Sequence, residues 1–386
     1  MSDISLDSFH GPAGGQPLIA YGWDDGWTAA FAPYAERGLV PGRVVRVDRG
    51  RCDVVTPAGT VRADTEFVVP RDPMEIVCTG DWVAVDPTGV DPRYVRTLLP
   101  RRTAFVRSTS SKRAEGQVLA ANIDHVAVCV SLALDLDPAR IERFLALALS
   151  SAERAAPASA APASGARPIV VLTKADLVPD PGARAYLARD VEACAPGVPV
   201  LTVSAPTGEG LDVLAATVAG GTTVMLGQSG AGKSTLVNAM LGRDRVETGP
   251  VRQGDGKGRH TTTTRDLFVL PGGGALIDTP GLRGVGLWDA SVGVSRTFAD
   301  IEDLAARCRF NDCAHGSEPG CAVLAAVEVG DLPVRRLESY RKLSRENRHI
   351  VAKSDARARA ELRKEHKRRG AEGRAAMAVK RARQGR

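Results

Sequence analysis

Two different hydrophobic patterns follow one another along this chain. Between about Val40 and Leu99, short β-rich runs are separated by Gly, Pro and Asp: GRVVRV, CDVVTP, GTVRA and DWVAVD. Short strands at this spacing, with turn residues between them, are typical of a small closed barrel. We predict a barrel of the oligonucleotide-binding (OB) type over residues 37–102, with an SH3-like barrel as the alternative.

The second pattern begins near Ile123, where apolar runs alternate with amphipathic helical segments. The runs are DHVAVCVSLAL, PIVVLTKADL, VPVLTVSA, TTVMLG and GALIDTPG. Strands that are buried on both faces read as nearly continuous β-branched runs, so this alternation predicts a largely parallel sheet with helices on both faces. We therefore expect an α/β domain over residues 103–288.

Other segments flank or interrupt these two domains. Residues 152–167 (AERAAPASAAPASGAR) have no core-forming pattern and predict a flexible surface insertion. Residues 289–350 are expected to form a mostly helical domain around a group of Cys and His residues, followed by a basic tail over 351–386. Residues 1–36 are predicted to be an arm that packs on a neighbouring domain, because four aromatic residues share one helical face: Trp23, Trp27, Phe31 and Tyr34.

Length and composition narrow the class of protein. A chain of 386 residues is too long for one ordinary core, which agrees with several domains. The first twenty residues contain no basic segment leading into an apolar run, and the chain has no stretch of about 18 apolar residues. We therefore expect a cytoplasmic protein that does not enter membranes.

Charge is distributed unevenly along the chain. The formal net charge is +6, but residues 351–386 contain thirteen Lys/Arg and four Asp/Glu, which is 13 − 4 = +9 in the tail alone. A local basic run favours a polyanionic partner, and the lack of large apolar residues favours nucleic acid over membrane. A solvated charged helix is the alternative interpretation.

The run GQSGAGKSTLVNAMLG, which begins at Gly227, carries the first chemical motif. Its G-x-x-x-x-G-K-S pattern lies between an apolar strand and a helical run, as a phosphate-binding loop requires. Backbone N–H groups and the helix dipole would hold phosphate oxygens. Lys233 is predicted to neutralise the β- and γ-phosphates during catalysis, and Ser234 to bind magnesium. The predicted contact residues are Gly227, Gln228, Ser229, Gly230, Ala231, Gly232, Lys233, Ser234 and Thr235.

Two later motifs suit the metal and the reacting phosphate. In DTPG, Asp278 can support the ligand shell of magnesium, and the Gly281 N–H can donate a hydrogen bond to the γ-phosphate. The polar, glycine-punctuated segment GKGRHTTTTRD is typical of a mobile loop with hydroxyls available for the metal. Thr263 is the preferred magnesium ligand and Thr262 the alternative. His260 is a candidate catalytic or water-orienting group, or else a solvent-exposed loop histidine.

TKAD follows the apolar run IVVL and suits recognition of a base. Asp176 can accept from two guanine edge donors at once, whereas adenine presents an acceptor at N1. Lys174 would lie along the ring, and the Ser204-Ala205 turn can back the base with a main-chain N–H. With Thr173 at the start of the motif, this site favours GTP over ATP.

The base-reading motifs precede the phosphate loop, which is the reverse of an ordinary GTPase. A pocket requires only that its motifs meet at the strand ends, and termini that lie close together make circular permutation tolerable. The chain therefore predicts a circularly permuted GTPase domain. The sequence resembles the RsgA (YjeQ) family, the circularly permuted GTPases that depend on the small ribosomal subunit. The motifs that carry this resemblance are GRVVRV, GDWVAVD, AANIDHVAV, VVLTKADL, VSAPTGEGL, GQSGAGKSTLVNAMLG, GRHTTT, IDTPGLRGVGLW and CRFNDCAHGSEPGCAV.

The resemblance implies an OB barrel, a permuted GTPase domain and a C-terminal zinc domain. It also implies a role in late maturation of the small ribosomal subunit, with GTP hydrolysis stimulated by that subunit, and it nominates His260 as the histidine of the first switch. Two departures stand out. Thr173 replaces an Asn whose amide would tie its loop to the phosphate loop. Leu282 follows DTPG where Ras-like enzymes place a water-orienting glutamine, so the catalytic group must come from elsewhere.

A Cys/His cluster predicts a second metal. Three thiolates and an imidazole within fourteen residues are enough for a closed tetrahedral zinc site, which leaves no open position for catalysis. Unrelated buried cysteines are the alternative. We expect one structural zinc ion, besides the magnesium that accompanies GTP, held by Cys308, Cys313, His315 and Cys321.

The leading hypothesis is a monomeric ribosome-associated GTPase. Its barrel, zinc domain and tail would bind ribosomal RNA of the small subunit, and hydrolysis of GTP to GDP and phosphate would control release. The alternative is a GTP-gated RNA-binding assembly chaperone that does not need hydrolysis, which Leu282 makes plausible. A third interpretation, an ATP-driven NTPase, conflicts with Asp176.

Overall fold

Five strands form a closed barrel near the N-terminus, in the order β1-β2-β3-β5-β4. The computed structural model describes residues 17–48, 50–68, 73–88, 92–108, 116–151, 165–242, 265–279, 287–288 and 290–354. Neighbouring strands are antiparallel except for the pair β3 and β5. This Greek-key closure confirms the OB-type barrel. The strands are β1 (Val40–Asp48), β2 (Arg51–Thr56), β3 (Gly59–Asp64), β4 (Trp82–Val85) and β5 (Arg93–Leu98).

The aromatic segment before the barrel forms helix α1 (Asp25–Ala35). Asp24 caps it by accepting a hydrogen bond from the Trp27 N–H at 2.8 Å. Trp27 and Phe31 are buried, and the ring centroid of Trp23 lies 4.8 Å from that of Trp82 in β4. The aromatic residues therefore pack on the barrel; residues 1–16 of the predicted arm lie outside the described residues.

A buried arginine joins the barrel to the following domain. The guanidinium of Arg43 lies 4.6 Å from the centroid of the Trp82 ring and donates to the Asn122 carbonyl at 3.1 Å and to Thr222 Oγ1 at 3.2 Å. The Asn122 amide donates in turn to the Gly80 carbonyl at 3.0 Å. Gly80 has φ 92°, and a Cβ there would lie 2.2 Å from the Ala121 carbonyl oxygen, so this junction requires glycine.

The central domain is built on a six-stranded sheet with the order β10-β9-β8-β11-β13-β12. All neighbours are parallel except β12 and β13. A hairpin of β6 (Ala104–Ser108) and β7 (Gly116–Ala121) connects the barrel to this sheet. The sheet strands are β8 (His125–Ser131), β9 (Arg167–Thr173), β10 (Val200–Thr202), β11 (Thr222–Gly227), β12 (Leu267–Val269) and β13 (Ala275–Ile277).

The strand order places the nucleotide motifs at one edge of the sheet. Strands β8 and β11 are neighbours, and the chain continues from β8 toward β9 but from β11 toward β13. In open α/β sheets, such a reversal creates a crevice outside the carboxyl ends of the strands, where ligands bind. In the described part of this domain, the helices beside the sheet are α2 (Pro138–Ser150), α3 (Pro181–Cys194), α4 (Leu211–Val218) and α5 (Lys233–Leu241).

The C-terminal part of the described chain is helical and packs on α2. Its helices are α6 (Ser291–Thr297), α7 (Ala299–Ala305), α8 (Ala322–Glu328) and α9 (Val334–Ser354). Helix α9 extends past residue 350, where the tail was predicted to begin. Residues 355–386 of that tail and residues 152–164 of the predicted insertion lie outside the described residues. Within the described ranges, every helix is too short or too polar to cross a membrane.

A buried charge network holds this helical part in place. The Arg336 guanidinium donates to Glu142 Oε1 of α2 at 2.9 Å, to the Thr297 carbonyl at 2.9 Å and to Asp300 at 2.6 and 2.8 Å. Glu142 is fully buried and Arg336 is 3% exposed. Because an unpaired buried charge is costly, this network fixes the helices to the central domain.

Candidate nucleotide site and metal centre

The phosphate loop runs from the end of β11 into α5. A Cβ at Gly227 would lie 2.5 Å from the Cys129 carbonyl oxygen, so a larger residue does not fit there. Gly232 adopts φ 81° just before the helix begins. The buried Lys233 ammonium donates to the Gly227 and Gln228 carbonyls at 2.8 and 2.9 Å, and burial lowers the pKa of this lysine. The ammonium can exchange these carbonyls for phosphate oxygens.

The base-reading motif lies beside this loop. A Cβ at Gly232 would be 3.7 Å from Thr173 Oγ1 and 3.8 Å from Lys174 Cε. Lys174 has φ 62°, an uncommon backbone conformation for a residue other than glycine, and it turns the chain out of β9. The two motifs that are separated in the sequence are therefore neighbours in the fold.

Asp176 is oriented by a serine from the next strand end. The buried Ser204 hydroxyl donates to Asp176 Oδ1 at 2.7 Å, while the Asp176 side chain remains exposed for a ligand. The main-chain N–H of Ser204 donates to the Glu209 carbonyl at 2.9 Å, which leaves Ala205 to supply the predicted main-chain contact to a base. The role of the Ser204 hydroxyl was missed, because the sequence does not show which group faces Asp176.

The expectation that Thr173 fails to tie its loop to the phosphate loop is wrong. Its hydroxyl donates to the Ala231 carbonyl at 2.7 Å. A threonine hydroxyl reaches the loop because β9 brings Thr173 against Gly232. The short side chain therefore makes the link that an asparagine amide was expected to make.

Asp278 follows β13 at the same edge of the sheet. Its side chain is buried, and Oδ1 has no hydrogen-bond partner in the described part of the chain. Burial raises the pKa of this carboxyl, the nearby Lys233 lowers it, and Asp266 raises it. A buried carboxylate oxygen without a partner suits the shell of a divalent cation.

Thr279, whose role the sequence did not reveal, anchors the end of β13. Its hydroxyl donates to the Met225 carbonyl of β11, so the phosphate-loop strand and the Asp278 strand are linked by a side chain. A threonine within a motif at a strand end was the available signal. Other predicted residues lie outside the described residues and stay predictions: His260, Thr262, Thr263, Gly281 and Leu282.

The Cys/His cluster converges in the C-terminal part. The donor atoms of Cys308, Cys313, His315 and Cys321 all lie within 4.8 Å of one another. The Cys321 side chain caps α8. Desolvation raises the pKa of the Cys308 thiol, but the N–H groups of Val323 and Ala322 lower it, and the resulting pKa lies below the usual value of a thiol. The pKa of Cys313 is raised to about 11, by desolvation and by the neighbouring Cys321 and Cys308, so Cys308 is the thiol of this pair that ionises first. The thiolate is the form that binds metals.

The distances within this cluster fit a tetrahedral metal site. Cys308 Sγ and Cys321 Sγ are 3.8 Å apart, and His315 Nδ1 lies 3.6 and 3.4 Å from these two sulfurs. Ordinary Zn–S and Zn–N bonds in a tetrahedron separate two sulfurs by about 3.8 Å and a sulfur from a nitrogen by about 3.5 Å. The residues present therefore fit a closed site for one metal ion.

Comparisons with known proteins agree with this architecture. The family described as RsgA GTPase matches residues 98–288. A protein of Streptomyces coelicolor, named small ribosomal subunit biogenesis GTPase RsgA, is 70% identical over 364 residues, which cover 94% of this chain and 96% of that protein. A protein of the same name from Opitutus terrae is 42% identical and covers 89% of this chain and 94% of its own length.

Solved structures with a similar fold agree with these sequence comparisons. The crystal structure of YjeQ from Thermotoga maritima has a TM-score of 0.57 and 26% identity, and the match covers 80% of this chain and 98% of that chain. The structure of YloQ, a circularly permuted GTPase, has a TM-score of 0.54 at 22% identity over 81% and 96% of the two chains, which speaks to the fold alone. With a permuted nucleotide site, an OB barrel and relatives of high identity over nearly its whole length, this chain belongs to the RsgA GTPase family.

Proposed function

We propose that this protein binds the small ribosomal subunit and hydrolyses GTP to GDP and phosphate during the late maturation of that subunit. One observation carries the enzymatic part: Lys233, Asp176 and Asp278 reach one edge of a single sheet from three separate strand ends. The names of the relatives from Streptomyces coelicolor and Opitutus terrae support the ribosomal part.

Each residue of the site has a distinct role in this proposal. Lys233 holds the β- and γ-phosphates, and Asp176, oriented by Ser204, accepts hydrogen bonds from the guanine edge. Ser234 and Asp278 serve the magnesium shell, and Thr263, or alternatively Thr262, completes it. Magnesium supplies charge neutralisation on the phosphates when it is bound.

The catalytic group is assigned to the first switch. Because Leu282 follows DTPG, the usual glutamine is missing there, and His260 is the side chain proposed to orient the attacking water. The Gly281 N–H is proposed to meet the γ-phosphate. These assignments rest on the motif and on family membership.

We also propose that the Cys/His cluster holds one structural zinc ion. The four donors and their spacing support this, and a site with four protein ligands has no position for substrate. Together with the barrel and the basic tail, this domain would contact ribosomal RNA. The protein is proposed to act as a cytoplasmic monomer.

Co-sedimentation with isolated ribosomal subunits tests the proposal. The protein with a non-hydrolysable GTP analogue should sediment with small subunits, and higher salt should weaken this binding because phosphate contacts release counterions. With GTP, His260→Ala should remain on the small subunit while the unmodified protein is released. Equal binding to large subunits would contradict the proposed partner, and normal release of His260→Ala would favour an occupancy switch without hydrolysis.

A further inference from the structure

The barrel holds the strand that follows the first switch. Arg265 and Asp266 immediately precede β12 and lie two and three residues after Thr263. The buried Thr79 hydroxyl donates to the Arg265 carbonyl at 2.7 Å, and Arg46 Nε of β1 lies 3.6 Å from Asp266 Oδ1. The Thr79 hydrogen bond ties the Arg265 carbonyl to the barrel, and the Arg46–Asp266 ion pair, which is too long for a hydrogen bond, adds an electrostatic contact at the next residue.

One hydrogen bond connects this anchored position to the candidate magnesium carboxylate. The Asp278 N–H donates to the Asp266 carbonyl at 3.1 Å, at the open end of the β12–β13 pair. Leu267 and Ile277 are paired directly beside it. A shift of Asp266 relative to the barrel would therefore be transmitted to the backbone of Asp278.

Trp288, which follows DTPG in the sequence, also packs beside the barrel. A Cβ at Gly116 of β7 would lie 2.8 Å from the Trp288 ring and 2.7 Å from Met74 Sδ of the barrel. Trp288 packs against the small buried cluster that contains Cys78 and Val118. Because Arg43 fixes the barrel to the sheet, the barrel is a firm support for Asp266 and for Trp288.

We propose that the barrel contributes to the nucleotide site through two positioning residues, Arg46 and Thr79. These residues hold the start of β12, and through Asp266 they position Asp278 in the ligand shell of magnesium. The inference rests on the proposed role of Asp278 in GTP hydrolysis. A partner that displaces the barrel would therefore also shift Asp278. Binding at the barrel and magnesium binding at the phosphates are mechanically connected in this way.

Arg46→Ala tests this inference, with Arg62→Ala as the matched control. Arg62 pairs with Asp53 at 2.7 Å inside the barrel, and its side chain is 29% exposed against 30% for Arg46. The direct measurement is the Mg²⁺ dependence of the dissociation of a fluorescent GDP analogue, followed by the Mg²⁺ dependence of GTP hydrolysis. Thermal unfolding of each variant shows that it is folded.

Arg46→Ala should raise the half-saturating Mg²⁺ concentration by about threefold to fivefold, as loss of one partly buried ion pair predicts. Arg62→Ala should leave it unchanged, and Arg46→Lys should recover part of the loss. Thr79→Val should shift it in the same direction as Arg46→Ala. Equal values for Arg46→Ala, Arg62→Ala and the unmodified protein would overturn the inference. Absence of hydrolysis in the unmodified protein would instead reject the proposed function. The Mg²⁺ dependence of GDP-analogue dissociation would still test the positioning role of Arg46 in that case.

Discussion

The hydroxyl of Thr173 donates to the main-chain carbonyl of Ala231 at 2.7 Å, across 58 positions of sequence. One residue ends the strand that leads to the base-reading motif, and the other lies within the phosphate loop. In a permuted chain the two motifs are not in their usual order, and this hydrogen bond joins them directly. The pocket is therefore held together by contacts between strand ends.

Thr173→Val should weaken the binding of both GTP and GDP by about fivefold, because a net hydrogen bond contributes about 1 kcal/mol. Thr173→Ser keeps the hydroxyl and should bind as the unmodified protein does. Isothermal titration calorimetry with GDP measures both. Unchanged affinity in Thr173→Val would show that the link does not support the pocket.

Asp278→Asn should abolish magnesium-dependent turnover but raise the melting temperature of the nucleotide-free protein at neutral pH. Burial raises the pKa of this carboxyl above its usual value. A carboxyl with a higher pKa in the folded state favours folding at low pH, and this contribution is lost as the pH rises through the folded pKa. Replacing it with a neutral amide removes the cost of burying the ionised form.

The gain in melting temperature should therefore shrink as the pH falls through the raised pKa of Asp278. Thermal unfolding without added magnesium or nucleotide, over a series of pH values, measures this dependence. Asp190→Asn, which changes an exposed carboxylate on α3, is the control and should show no such trend. A gain that is constant with pH, or a loss at neutral pH, would argue against burial of an ionised Asp278.

Arg336→Ala should lower the free energy of unfolding by about 3–5 kcal/mol, because it removes the buried partner of the fully buried Glu142. The adjacent Arg335 also contacts Glu142, at 3.3 Å, but its side chain is 44% exposed. Arg335→Ala should therefore cost less than about 1 kcal/mol. Urea unfolding of the two variants compares them, and equal losses would mean that the buried network does not hold the helical part to α2.

Removal of the zinc ion proposed for the Cys/His cluster should loosen the segment 308–321 and the start of α8. Most residues of this segment are exposed to solvent, so metal ligation would supply much of its folding free energy. Elemental analysis should find one zinc per chain, and Cys321→Ser should lose it and gain hydrogen exchange in α8. GDP affinity should not change, since the nucleotide residues lie elsewhere; retained zinc in Cys321→Ser would contradict the ligand assignment.

Much of the fold follows from local patterns in the sequence. Alternation and turn residues predict the barrel, and apolar runs such as IVVL and TVML predict the parallel strands that end in TKAD and the phosphate loop. The convergence of Asp176, Lys233 and Asp278 then follows from the common edge of a parallel sheet.

The remaining features depend on contacts between distant segments. Arginine is rarely buried fully, but the fold buries Arg43 against Trp82. Asp266 reads as part of a polar loop, and its relation to Arg46 appears only when the barrel meets β12. The same holds for Thr173, whose short hydroxyl reaches Ala231 because two strand ends are close.

Hydrolysis of GTP and ATP by the purified protein, alone and with isolated small or large ribosomal subunits, tests whether this protein is a GTPase that acts on the small subunit. We predict hydrolysis of GTP but not ATP, stimulated by small subunits in a manner that salt weakens, and lost in Lys233→Ala. Stimulation by large subunits would exclude the proposed partner, equal use of ATP would exclude selection of guanine by Asp176, and full turnover in Lys233→Ala would exclude the proposed role of Lys233.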